Sequence, residues 1–125
     1  MPVATTNLTA EAHDATVRDG IVLIDFWAAW CGPCRAFAPV FERVSERHPD
    51  AVFAKVDTEA EPGLAQRYGI KNIPTLVVYR DGIPVFGQPG ALPEPALEDV
   101  LRQVRELDMA DVRGRYAEQL AAEDG

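Results

Sequence analysis

The chain is poor in cysteine, histidine and positive charge, and each shortage excludes something. It has two cysteines and two histidines in 125 residues, and 12 Lys and Arg against 20 Asp and Glu, for a net charge of −8. Phosphate binding needs clustered cations, so a nucleic-acid partner is not expected. Two cysteines this close read as catalytic or metal-binding rather than as a structural staple, and 125 residues are enough for one domain with its own core. The longest apolar run, Ile21 to Trp30, is interrupted by Asp25 and falls well short of the roughly 18 residues a membrane span needs. Met1 to Asn7 lack a basic stretch followed by an apolar one, so no signal peptide is expected and the compartment reads as the reducing cytoplasm.

The two cysteines sit together, as Trp30-Cys31-Gly32-Pro33-Cys34, directly after the apolar run. A strand that ends in Cys-x-x-Cys and turns into a helix suits thiol–disulfide exchange. It places the first sulfur in solvent at a helix N-terminus and the second one turn inside. Backbone N–H groups there favour the thiolate at Cys31, which is the nucleophilic form. Pro33 suits a first helical turn because it needs no donor. Cys34 is then placed to resolve a mixed disulfide formed at Cys31. A zinc site would need two further Cys or His ligands. His13 and His48 lie far apart in sequence and read as surface or capping residues, so no metal is expected.

Asp25 interrupts a run that reads as buried. A carboxylate there is costly, burial raises its pKa, and such a group suits accepting the Cys34 proton. Lys55, also set in an apolar strand, is its candidate partner or else a snorkelling surface lysine. Trp30, beside Cys31, reads as a substrate-facing platform. Ile73-Pro74-Thr75 precedes a strand, and on spacing alone a trans bond is the better expectation before Pro74.

Helix and strand patterns alternate. Residues 1–6 read as a loose arm and Ala10 to Arg18 as a helix capped by Thr9. Ile21 to Ala28 reads as a strand covered on both faces, and the segment from Cys34 to about Arg47 as a helix bent at Pro39. Ala51 to Asp57 is a strand, Pro62 to Tyr68 a helix ended by Gly69 and Thr75 to Arg80 a strand. Asp81-Gly82 marks a hairpin to a strand near Val85 and Phe86, and Pro93 to Leu107 is a helix. This is an α/β domain with a central mixed β-sheet flanked by helices. The segment 108–125 is a C-terminal helical extension. Its Met109, Val112, Tyr116 and Leu120 form one stripe that either packs on the domain or meets a partner.

Together these residues resemble the thioredoxin family. Asp25-Phe-Trp-Ala-Ala-Trp-Cys-Gly-Pro-Cys34 is close to the family signature, followed by Lys55-Val-Asp57, Tyr68-Gly-Ile70, Ile73-Pro-Thr75, Asp81-Gly82 and Gly90-Ala91. The resemblance covers a domain at 7–107 and implies a thioredoxin fold with a cis bond before Pro74. It also implies Cys31 as nucleophile, Cys34 as resolving thiol, and Asp25 as proton acceptor supported by Lys55. Trp30, Gly32, Pro33, Ile73, Pro74, Gly90 and Ala91 would form the surface that holds substrates. No cofactor would be bound. The working group would be a redox-active Cys31–Cys34 disulfide, supplied with electrons from NADPH through thioredoxin reductase, in a monomer acting on disulfide-containing client proteins. Arg35 stands where many members carry Lys, Pro89 replaces a more flexible residue before Gly90, and the extension has no counterpart in the minimal domain.

Overall fold

The computed structural model describes residues 4–124. Five strands form one sheet in the order β1-β3-β2-β4-β5. These are β1 (Thr5–Asn7), β2 (Ile21–Trp27), β3 (Val52–Asp57), β4 (Thr75–Arg80) and β5 (Ile83–Pro89), and the helices are α1 (His13–Val17), α2 (Gly32–Arg47), α3 (Pro62–Arg67), α4 (Glu94–Glu106) and α5 (Met109–Asp124). β1, β3 and β2 run parallel, whereas β4 and β5 are antiparallel to their neighbours.

The sheet is covered on both faces, as the near-continuous apolar β2 requires. Side chains alternate across it. Leu23, Phe53, Leu76 and Val78 pack with Phe37, Phe41, Val44, Leu97 and Leu101 of α2 and α4. Val22, Ile24, Phe26, Ala54, Val56 and Val77 face Val17 and Leu64. Asp25 shares the parity of Leu23, which turns its carboxyl toward the face that α2 covers.

Several boundaries depart from expectation. Thr5 and Thr6, expected in a loose arm, pair with Phe53 and Ala54 as an edge strand. The rest of that arm, Met1 to Val3, lies outside the described residues. The first helix starts at His13 rather than Ala10, with residues 10–12 forming a turn before it, and the Thr9 hydroxyl caps that turn by accepting from the Ala12 amide at 3.3 Å. α2 continues through Pro39 as one element. The hairpin forms as expected. Asp81 and Gly82 take φ of 51° and 84°, and Arg80 pairs with Ile83, a two-residue turn whose twist matches that of its strands. α4 ends beneath Arg80, whose guanidinium donates to the carbonyls of Val104 (2.8 Å), Leu107 (3.1 Å) and Arg105 (3.2 Å).

Candidate active site

The cysteines occupy the loop-to-helix junction that follows β2. Cys31 has extended backbone (φ −87°, ψ 113°) and is the N-cap of α2, and its Sγ accepts from the Cys34 amide at 3.2 Å. A helix that opens on a sulfur places its positive end there, which favours sulfur as an anion. Cys31 and Cys34 form a disulfide across three positions of sequence, with Cα atoms 5.2 Å apart. Cys31 is only 4% exposed, against the expectation of an open first sulfur. Ala28 and Ile73 pack around the pair, and the Ile73 carbonyl oxygen lies 3.6 Å from Cys31 Sγ.

The Ile73–Pro74 bond is cis, as the resemblance implied and against the expectation from spacing alone. The Pro74 carbonyl accepts from the Gly90 amide at 2.7 Å. Gly90 takes φ of 101°, where a side chain would be strained. Cys31, Ile73, Pro74 and Gly90 are therefore joined by contacts. Gly32 and Pro33 are exposed beside Cys31, and Ala91 is exposed beside Gly90. Trp30 is 68% exposed, with its indole N–H donating to Glu59 at 3.3 Å. Arg35 donates to the Ala29 carbonyl at 2.8 Å, which folds its charge back over the loop. Pro89 ends β5 opposite Thr75.

Asp25 is fully buried, and neither carboxylate oxygen has a hydrogen-bond partner among the described residues. Burial pushes its pKa up to about 7, with the Lys55 charge pulling the other way. Lys55 is the register partner of Asp25 across β2 and β3. The two form no ion pair within 4.0 Å; the Lys55 ammonium stands over the Trp27 ring, 4.9 Å from its centroid, a cation–π placement. Sequence reasoning passed over Trp27 and Glu59. The available signal for Glu59 was Asp57 at a strand end: its carboxylate accepts from the Glu59 amide at 2.9 Å, an Asx turn that points Glu59 toward Trp30.

The histidines take no part in this site. His13, expected at the surface or in a cap, is 1% exposed, because its imidazole finds partners in Asp14 and the distant Tyr68. His48 is the C-cap of α2, bonded to Glu98 at 2.5 Å and to Arg105 at 3.1 Å. Among the described residues no group of three or more His, Cys, Asp or Glu is arranged to hold a metal, and no helix is long and apolar enough to cross a membrane.

The family model for thioredoxin matches residues 4–103. The putative thioredoxin 2 of Streptomyces coelicolor is 59% identical over 119 residues, covering 94% of this chain and 89% of that protein. Thioredoxin 1 of Synechococcus elongatus is 40% identical over 102 residues, covering 76% and 95%. Among solved structures, a mutant thioredoxin of Halobacterium salinarum superposes with a TM-score of 0.76 at 34% identity, covering 86% of this chain and 96% of that one. The thioredoxin of Malassezia sympodialis gives 0.72 at 32%, covering 82% and 91%.

Proposed function

The chain belongs to the thioredoxin family and is a thiol–disulfide oxidoreductase, and from that premise we propose that it is a general protein-disulfide reductase of the cytoplasm. The observation that carries the reading is the paired placement of Cys31 as helix cap and Cys34 one turn inside.

In the reduced protein the Cys31 thiolate attacks one sulfur of a client disulfide. A Cys31–client disulfide forms, and the client's other sulfur leaves as a thiolate that takes a proton from solvent. Cys34 then loses its proton to Asp25 and attacks Cys31 Sγ. The Cys31–Cys34 disulfide closes, the client's second thiolate leaves, and two electrons have passed to the client. Asp25 suits this step because a carboxyl poised near neutrality can take a proton and release it again. Lys55, on the same sheet face, biases it toward release. Trp30, Gly32, Pro33, Ile73, Gly90 and Ala91, with Pro74 buried beneath them, are the surface on which the client strand lies, the backbone at Ile73 offering it hydrogen bonds. Thioredoxin reductase, drawing on NADPH, returns the pair to the dithiol, and the protein acts as a monomer with no bound cofactor. The working domain runs from β1 through α4, residues 5–107, with 108–125 an addition to it.

Insulin reduction in the presence of NADPH and thioredoxin reductase tests the reading. The wild type turns the assay over and Cys31→Ser does not. Activity that survives the substitution rejects Cys31 as nucleophile.

A further inference from the structure

On the sheet face opposite α2, a polar chain runs outside the thiol chemistry, buried at His13, half-buried at its tyrosines and open to solvent at Asp14. His13 Nδ1 lies 2.7 Å from Asp14 Oδ1, His13 Nε2 is bonded to the Tyr68 hydroxyl, and that hydroxyl lies 2.6 Å from the Tyr79 hydroxyl. The His13 hydrogen bond and then the Arg67 guanidinium hold Asp14 below its usual range, so Asp14 is an anion that can only accept. Asp14 fixes Nδ1–H as the donor at that end. With a neutral imidazole, Nε2 then accepts from Tyr68, and Tyr68 accepts from Tyr79. Burial and the Tyr79 bond push the Tyr68 hydroxyl far up, so Tyr68 rotates its proton rather than losing it.

The chain borders a cleft of about 360 Å³, lined by His13, Asp14, Arg18, Arg67, Tyr79 and Tyr116 among others. Arg67 reaches Asp14 at 3.3 Å. Arg18 makes no ion pair and no side-chain hydrogen bond among the described residues. These are the charged and titratable groups around His13, drawn from α1, α3 and its C-cap, β4 and α5. In a chain of net charge −8, the cleft itself is positive.

We propose that this cleft binds a small oxyanion, and that binding is coupled to protonation of His13. A proton from solvent arriving at Nε2 reverses the chain. Nε2–H then donates to Tyr68, Tyr68 donates to Tyr79, and the Tyr79 O–H is released to point into the cleft. Two guanidiniums, an imidazolium and a free hydroxyl then face one space, offset by Asp14 alone, and guanidinium pairs with oxyanions are strong and directional. By linkage, the anion raises the proton affinity of His13 by the same factor.

Sulfate is the probe, because its charge is constant over the range in which histidine titrates. The His13 ring protons are followed by NMR across pH in sulfate and in chloride at equal ionic strength, with His48 as the internal reference. A coupling of about fivefold, low for linked sites, raises the His13 midpoint by about 0.7 in sulfate. Arg18→Gln/Arg67→Gln abolishes the rise, and Tyr79→Phe reduces it by removing the released donor. Equal midpoints in the two salts, a rise shared by His48, or a rise that survives in the double variant overturns the site. A rise unchanged in Tyr79→Phe overturns the reversal of the hydroxyl chain.

Discussion

Asp25 shows how one residue couples chemistry to stability. Its two oxygens are buried without partners, and its pKa stands at about 7 against an ordinary 3.8. Between those values the folded chain binds more protons than the unfolded one, so stability falls as pH rises through that window. The full cost is present above about pH 7 and absent below about pH 4. At 1.36 kcal/mol per unit the interval amounts to roughly 4 kcal/mol, an upper figure. Asp25→Ala should therefore raise the urea midpoint markedly at pH 8 and little at pH 4, while slowing release of the mixed disulfide. Equal stabilisation at both pH values would place the gain in packing instead. The burial of Asp25 was legible in the sequence because an acid flanked by Ile24 and Phe26 lies in a strand that reads as covered on both faces. His13 was not, because a lone histidine in a short polar helix carries no pattern and its partner Tyr68 lies 55 positions away.

At the scale of elements, turns and helix ends decide the geometry. The β4–β5 turn is tied to the loop before β2, with Asp81 N–H donating to the Gly20 carbonyl at 2.9 Å and Gly20 N–H to the Asp81 carboxylate at 3.0 Å. A Cβ at Gly82 would meet the Arg18 carbonyl oxygen at 3.2 Å, at φ of +84°. Gly82→Ala is expected to cost about 1–2 kcal/mol, read as a lower melting temperature with reductase activity intact. Arg80→Met keeps most of the side chain and removes the guanidinium that caps α4. It should cost about 2 kcal/mol in urea denaturation, the worth of charge-assisted bonds to partly buried carbonyls. Elements punctuated by Gly, Pro or Asp-Gly were readable to within a residue or two, as at β4 and the hairpin. β1 was not, since Thr5-Thr6-Asn7 is three polar residues and becomes a strand only because β3 offers it a free edge.

For the whole molecule, the question is what α5 adds. Of its expected stripe, Met109 is buried (8% exposed), Val112 and Tyr116 are half-buried, and Leu120 is 43% exposed. The periodicity gave the helix correctly, and Val112 and Tyr116 of its stripe share a cleft with Ile83, Pro84 and Leu107 while Leu120 stays open. Removing residues 108–125 should leave insulin reduction within about twofold of the full chain. It should lower stability by about 1.5–3 kcal/mol, the burial of one large apolar side chain. Loss of activity would make the extension part of the working domain.

Both tryptophans of the chain, Trp27 and Trp30, fall within four positions of Cys31. Light absorbed by either indole is re-emitted beside the sulfur pair, and a disulfide accepts an electron from an excited indole where a dithiol does not. The unlabelled protein should thus carry its own optical gauge of oxidation state: emission is expected to rise as the pair is reduced, and a steady-state emission spectrum before and after addition of dithiothreitol checks it.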